Sequence, residues 1–569
     1  MSEIKLPDCH LFNDGTNDYN LGEFGLPTML SSDDKGMKII SLSNIFATPS
    51  WARFMMHLRQ VIAKDRRVFF VDGVARMASI NWLRDHVHEM KGYKHWEYDI
   101  KSYLDFMIEN QSDEGYFYEI TVIETNVHSQ ICPSTTKFIN DHLALVRIEI
   151  EADVEYLVVE GAYTVYKATG DEAWIRKVLP KLEKSIDYMT SAPKRWDAEH
   201  GLCKRAFTMD TWDFAYGADS GKNREIHEDT PMSIMHGDNS GVYQAMTQLA
   251  WLNRRLGNEE KACEWDERAA KLRENLIKYC WNGNFFTHQV HLGHDGAEGA
   301  DETKILSLSN SYDMNRGVTT LEQNDKIINE YRRRKDTFPA FAEWYCINPP
   351  YEHFKDAYGN DRPKDYVNGG ISTMTAGELA KAAFMNGHEA YGWDIIKRVR
   401  DLTAKVGSMY FLYDPETGND ISGGPTGWSA GAVMDAIDAG LAGIVDEGVC
   451  FSDLKFSPRW AVTEHNEIRY TTGYEVSKTM VQSNYWYDGE KMTYELRCPS
   501  KHVDCHILLP VGKKCDKVLL DGKEVEFNNS KVLDSEYVDF AFDKEPIPVI
   551  RNEWIPLESQ VIELVISDK

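Results

Sequence analysis

The chain has 569 residues, 42% hydrophobic and 27% charged, with a formal net charge of −27. This is the make-up of a soluble globular protein with room for one large domain and a smaller one. The charge excludes nucleic acid and anionic membrane surfaces as partners, since both need a basic face. No apolar run approaches the ~18 residues of a membrane span.

The ten cysteines are scattered without a CxxC pair and read as reduced thiols. Met1 to Asp14 is polar and acidic with no apolar leader core. Both observations favour a cytoplasmic location. The chain has no P-loop, no GxGxxG after a strand, no HExxH, no GxSxG and no EF-hand pattern, so neither a cofactor nor a metal is expected. The oligomeric state is not legible.

Residues 1–45 read as an irregular segment, with turn signals at Asn13-Asp14-Gly15 and Ser31-Ser32-Asp33-Asp34. Helical periodicity begins near Ser50 with Trp51, Phe54, Met55, Leu58 and Val61. Helices are expected over 98–111, 153–169, 172–189, 241–256, 259–279, 377–385, 389–406 and 428–442. Most end in a short turn carrying Gly, Asn or Asp, such as Gly170-Asp171, Gly257-Asn258 and Asn386-Gly387. Stacked helical hairpins of this kind, roughly six over 46–447, would close into a mainly α barrel of inner and outer helices. From 448 to 569 the pattern turns to strands, at 478–481, 492–496, 503–510, 517–520 and 561–565, with turns at Asp488-Gly489 and Asp521-Gly522. A small antiparallel β-sandwich is expected there, packed on the barrel.

The chemistry concentrates in Thr208-Met209-Asp210-Thr211-Trp212-Asp213-Phe214-Ala215-Tyr216-Gly217. Rings beside carboxylates suit a sugar: the rings cover the C–H face of a pyranose and the acids serve its hydroxyls or glycosidic oxygen. A carboxyl desolvated by rings holds its proton near neutral pH and can donate it to a leaving group. A Trp-anchored turn whose Asp residues cap the next helix is the plainer alternative. Glu343, among Phe341, Trp344 and Tyr345, is the candidate base, against a buried acid at a helix end. Asp414, Glu416 and Asp420 are turn acids with a smaller claim. Arg84, Asp85 and His86 are candidate sugar holders, or a structural ion pair on a helix. Asp238 and Asn239, at the start of a helix, and the loop pair Asn315-Arg316 are further candidates.

These stretches resemble the six-hairpin glycosidases, the group that includes trehalases, processing α-glucosidases, glycogen-debranching-like enzymes and α-L-rhamnosidases. Trp212-Asp213-Phe214 resembles the trehalase-type segment whose Asp is the general acid. Leu83-Arg84-Asp85-His86 resembles the early Arg-Asp segment that holds the terminal sugar. Tyr366-Val367-Asn368-Gly369-Gly370-Ile371 is similar to the turn that opens a late inner helix. Gly427-Trp428-Ser429-Ala430 resembles the last barrel helix, and the strand-rich tail resembles the C-terminal domain of α-L-rhamnosidases.

The resemblance implies an (α/α)6 toroid barrel followed by a β-sandwich, and an exo-acting, inverting glycoside hydrolase. Asp213 and Glu343 would be catalytic. Arg84, Asp85, His86, Asp210, Trp212, Asp238, Asn239, Asn368 and Trp428 would bind the substrate. In one respect the chain departs from the group. A Glu is expected shortly before Tyr413-Asp414-Pro415, and that position is Phe411. A phosphate-dependent phosphorylase needs no such base, and Ser422 to Ser429 would suit an anion at a helix start. A non-cleaving carbohydrate binder and a uronide lyase are the remaining alternatives.

Overall fold

The computed structural model describes residues 31–32, 37–38, 49–123, 135–210, 225–353, 366–422, 424–549 and 557–569. Within the segment expected to be irregular, Ser31–Ser32 and Met37–Lys38 form a short antiparallel pair. Trp212 and Asp213 lie outside the described residues.

Among the described residues, twelve α-helices follow in chain order: α1 (Pro49–Asp65), α2 (Leu83–Tyr93), α3 (Ser102–Glu109), α4 (Val154–Thr169), α5 (Glu172–Met189), α6 (His236–Arg255), α7 (Glu259–Cys280), α8 (Ser309–Asn315), α9 (Leu321–Thr337), α10 (Thr373–Met385), α11 (Glu389–Val406) and α12 (Gly427–Asp435). The even-numbered helices touch in sequence, α2 to α4, α6, α8, α10 and α12, and α12 returns to α2. The contacts therefore close a ring. Its members are buried almost all round: α10 exposes little besides Met385, and α12 buries eight of its nine residues. The odd-numbered helices pack outside and are two-faced. In α5, Trp174, Ile175, Val178, Leu179, Leu182 and Ile186 face in while charged residues face out.

The tightest seam of the ring is α10 against α12. A Cβ on Gly377 would lie 2.6 Å from the Ala432 carbonyl carbon, so glycine is what lets the two backbones approach. Below this seam α12 loosens into a π-helical turn over Ala436–Leu441, where a plain helix to 442 is expected from the sequence. The helix expected from Tyr98 starts at Ser102 instead. Asp99 accepts hydrogen bonds from the Lys101 and Ser102 amides and fixes the start there. In the opposite sense, α6 and α10 begin earlier than their apolar spacing suggests, at His236 and Thr373. Their first turns are polar but buried, which hides them from a periodicity reading.

The direction of the ring is what builds the site. All inner helices enter from the same end, because the connections from inner to outer helices are short (170–171, 256–258, 316–320 and 386–388). The returns from outer to inner are long (110–153, 190–235, 281–308 and 338–372). These long returns carry small ladders, among them Met232–Met235 between Arg205–Ala206 and Gln289–Leu292, and the return from α1 carries Arg66–Val71 with Val74–Ser79.

Beyond the barrel, two sheets stack face to face. One holds five strands, Ile444–Asp446, Asp453–Phe456, His502–Leu508, Asn528–Val532 and Ser535–Asp543; the other holds six, from Glu467–Tyr474 to Gln560–Asp568. Phe456 of the first meets Tyr494 of the second edge-on at 5.6 Å. The expected antiparallel pattern needs one correction: Asp453–Phe456 runs parallel to His502–Leu508, so the first sheet is mixed. Glu389 at the start of α11 accepts hydrogen bonds from Ser535 and Tyr537 and ties this domain to the barrel.

Candidate active site

One polar pocket lies at the N-terminal ends of the inner helices. Arg84 and His88 come from α2, Asp153 precedes α4, Gly237 and Asp238 open α6, Ser309 opens α8 and Trp428 opens α12. Helix N-termini present unpaired N–H groups and a partial positive charge, so their convergence favours carboxylates and other oxygen groups here.

Arg84 is clamped from two sides. Its Nε and Nη2 donate to the Asp153 carboxylate, the Nη2 bond at 2.7 Å, and Nη2 also reaches Glu151 at 3.3 Å. Arg205 donates to Glu151 at 3.2 Å and lies 3.5 Å from Asp238. Burial alone would raise the Asp153 carboxyl, but Arg84 outweighs it and holds it below the usual range. Glu151 goes the other way: burial pushes its carboxyl up to about 8 against the pull of Arg205 and Arg84. Burial also raises Asp238, whose Oδ2 has no hydrogen-bond partner.

Asp210 forms another wall. Its carboxylate accepts from the Ser309 amide at 3.1 Å and the Ser309 hydroxyl at 2.8 Å. Burial opposes its ionisation, yet nearby His236 and the Ser309 bond hold it below the usual range. His236 is held in turn by Asp313 at 2.6 Å and Ser307 at 2.9 Å. A Cβ at Gly237 would sit 2.2 Å from the Ser309 hydroxyl, so only glycine leaves room for that bond.

The aromatic side is Trp428, stacked on His88 and bonded through its indole N–H to the Tyr312 hydroxyl at 3.0 Å. Burial and nearby cations push His88 well below its usual pKa, so the ring is neutral. The floor is Arg316, whose guanidinium lies over the Tyr156 ring at 5.1 Å and the Tyr312 ring at 5.2 Å. The free space between these side chains is about 50 Å³, less than a pyranose ring needs, so binding requires the rim to shift.

Of the residues expected from sequence, the pocket gathers Arg84, Asp210, Asp238, Trp428 and Arg316. Others fall elsewhere. Asp85 is half-buried and outside the pocket lining. His86, within α2, is buried outside the pocket lining, 3.0 Å from the Tyr93 hydroxyl. Asn239 binds the Cys203 backbone through both ends of its amide, and Asn368 does the same to Tyr351. These two order the chain and do not line the pocket.

Glu343 requires the largest correction. It is fully buried, and its oxygens accept from Arg398 at 2.7 and 2.9 Å and from Tyr391 at 2.6 Å. Burial alone would raise it, but Arg398 prevails and holds its carboxyl below the usual range. Both partners belong to outer helix α11, so Glu343 is a structural ion pair away from the pocket. Phe411 does lie beside the site, its ring 6.1 Å from Trp428. The place where a base is expected is therefore a ring in space as well as in sequence.

Sequence reasoning missed His88, Glu151, Asp153, Tyr156, Arg205 and Tyr312. His88 follows Arg84 by one helical turn, a spacing that signals a shared face. The alternation Arg147, Glu149, Glu151, Asp153 ahead of α4 marks a charged strand-like approach that needs partners. Among the described residues no group of His, Cys, Asp and Glu is arranged to hold a metal, and no helix is long and apolar enough to cross a membrane.

Residues 79–309 match the family model described as the mannosylglycerate hydrolase MGH1-like glycoside hydrolase domain. No curated protein matches the sequence. Among solved structures, an α-L-rhamnosidase from Dictyoglumus thermophilum shares the fold with 9% identity and a TM-score of 0.51, over 85% of this chain and 46% of its own. A sialidase aligns with 12% identity and a TM-score of 0.52, over 87% of this chain and 41% of its own. The chain thus spans less than half the length of either. A mannosylglycerate hydrolase from Thermus thermophilus aligns with 14% identity and a TM-score of 0.48, over 67% of this chain and 99% of its own. The match to that glycoside hydrolase domain model thus lies across α2 to the start of α8, within a helical barrel that bears a C-terminal β-domain.

Proposed function

We propose that the protein is an exo-acting, inverting glycosidase that seats a terminal sugar against Trp428 at the N-terminal mouth of the barrel. The observation that carries this reading is the polar pocket itself. It joins an aromatic face, Trp428 on His88, to the carboxylates of Glu151, Asp153, Asp210 and Asp238, and it ends on the Arg316 floor. A pocket with so little free space favours a single terminal sugar over an internal one.

In this reading Asp213 is the general acid. It lies three residues after Asp210, so the chain tethers it within about 11 Å of a pocket wall. Asp213 gives its proton to the glycosidic oxygen as the bond to the anomeric carbon breaks. Water attacks the opposite face and passes its proton to a carboxylate, and the anomer inverts. With Glu343 engaged by Arg398 and position 411 a phenylalanine, the water falls to the pocket acids. Asp238 is favoured over Glu151 because Glu151 accepts hydrogen bonds from both Arg84 and Arg205, whereas Asp238 meets Arg205 only as an ion pair at 3.5 Å. Its burial-raised pKa suits it once the developing positive charge of the sugar ring favours its ionised form.

Phosphorolysis fits less well. The Arg84 and Arg205 guanidinium groups at the pocket are already bound to carboxylates, and added phosphate would meet four acids. The test is proton NMR of a panel of aryl glycosides and disaccharides, with α-mannosides and glycerate-type aglycones included because of the matched family's description. Free sugar released without phosphate, with the inverted anomer formed first, is the expected result. Asp213→Asn is expected to lower kcat by about 10²–10⁴-fold. Undiminished activity in that variant would remove the assignment of the acid.

A further inference from the structure

We propose that the barrel has a second binding chamber at its opposite end, which takes a small, uncharged polyhydroxylated molecule such as a polyol or a free monosaccharide. The chamber has a volume of about 400 Å³, within the usual range for small-molecule sites. It lies where the inner helices end: Lys94 and His95 follow α2, Lys167 is in the last turn of α4, and Arg316 follows α8. Asp446 and Tyr474 of the β-domain complete it. The sugar pocket gathers helix N-termini. This chamber gathers C-termini, whose last carbonyls are acceptors in need of donors.

Two buried side chains point to a ligand. His95 is 2% exposed, and its Nδ1 lies 2.9 Å from the Gly473 carbonyl, which can only accept. Nδ1 therefore carries the proton, with the Thr472 hydroxyl 3.1 Å away as a second acceptor, and Nε2 is left as a lone pair with no hydrogen-bond partner, 3.6 Å from the Asp438 carboxylate. Acceptor faces acceptor, an arrangement that a donor between them relieves. Burial lowers the His95 pKa, in keeping with a neutral ring. Gln248, 8% exposed, likewise leaves its Oε1 unpartnered at the chamber wall.

Charge narrows the class of molecule. Lys94, Lys167, Arg316 and Lys381 line the chamber against Asp435, Asp438 and Asp446. Four cations already exceed three carboxylates, so the missing donors are not further cations. Nor is an anion suited to two orphan acceptors. Two hydroxyls of one polyol meet both needs, one donating to His95 and the other to Gln248, and either can accept from Lys94, whose ammonium lies 4.0 Å from Asp435.

The chamber and the sugar pocket share Arg316. Its Nη1 donates to the Gly237 carbonyl at 2.8 Å and the Ser240 hydroxyl at 3.0 Å, gripping the turn that carries Asp238. Occupation of the chamber thus biases the pocket through this one side chain. That effect on turnover rests on the glycosidase reading; binding to the chamber does not.

Calorimetric titration of the full chain with glycerol, myo-inositol and D-glucose tests the proposal, using wild type, Gln248→Leu, Lys94→Met and Asp238→Asn. At least one probe is expected to bind wild type and Asp238→Asn alike, and to lose affinity about tenfold in Gln248→Leu and Lys94→Met. Two outcomes overturn it: no binding by any probe, or binding that survives in both chamber variants and disappears in Asp238→Asn. A wild-type crystal soaked in the bound probe gives a reading independent of variant folding. Density beside His95 and Gln248 supports the chamber, and density only beside Trp428 refutes it.

Discussion

Trp428 and His88 lie face to face, ring centroids 4.2 Å apart and planes 6° from parallel. One face of the indole is thus backed by a neutral ring on a neighbouring inner helix, and its N–H is fixed by Tyr312. In the proposed reading, a platform held from behind and at its edge is pre-set for a sugar face, which limits the ordering cost of binding. Trp428→Ala is expected to raise KM at least about tenfold with a smaller change in kcat. His88→Ala is expected to do the same more weakly, by freeing the indole. Steady-state kinetics on the best glycoside of the panel separate the two parameters.

The Arg84–Asp153 clamp is nearly dry, with side-chain exposures of 4% and 12%. Removing one partner leaves the other charge buried and unpaired. Arg84→Met is expected to destabilise the fold by about 3–5 kcal/mol, measured by urea unfolding. Arg84→Met with Asp153→Leu should recover much of that loss while activity stays low. A double variant no more stable than Arg84→Met would show that the clamp is not the reason for the loss.

Glu151 makes stability depend on pH in an unusual direction. Its folded pKa of about 8 exceeds the ordinary carboxylate value of 4.5. Below the unfolded value both states hold the proton, and the contribution is fully present. As pH rises through that value the unfolded chain ionises while the folded one does not, so stability falls until the folded pKa is passed. The slope from this group is at most about 1.4 kcal/mol per pH unit. Glu151→Gln is expected to flatten the unfolding free energy between about pH 5 and pH 8. An unchanged slope would assign the proton elsewhere in the Glu119–Glu151–Asp153 cluster.

Glu343→Gln separates structure from catalysis. Arg398 keeps its ion pair with Asp394 but loses the buried charge of Glu343, and the variant is expected to lose about 2 kcal/mol of stability. Its kcat should stay within about twofold of wild type when assayed well below the melting point. A fall of several hundredfold at full folding would restore Glu343 as a base.

Asp238→Ala is expected to be slow and to be rescued by azide, which fills the space of the lost carboxylate and attacks the anomeric carbon directly. A glycosyl azide of inverted configuration is the product to look for by NMR. Rescue in Glu151→Ala and not in Asp238→Ala would move the base to Glu151.

The helical barrel was legible because its outer helices alternate faces and end in turns such as Gly170-Asp171, where Gly170 takes the left-handed conformation (φ 62°). The inner helices were harder to bound. The first turns of α6 and α10 are polar yet buried, and no apolar spacing marks them. Site residues were legible where chemistry clustered locally, as at Asp210 and Trp428. They were hidden where the fold collects them from afar: Arg205, Glu151 and Asp238 lie far apart in the chain and meet only because the inner helices share one direction. Glu343 misled for the converse reason. An acid among rings satisfies a local pattern, and nothing nearby in sequence announces Arg398 half a hundred residues on.

The uneven connections of the barrel have an evolutionary consequence. Short links join the helices at one end, while the long returns, distant in sequence, lead into the inner helices at the end where the pocket lies. Insertions and deletions in any of those returns can remodel substrate choice with the packed ring untouched. Separate stretches of chain can drift independently and be selected together for one specificity, which makes the scaffold permissive to new ligands at little risk to folding.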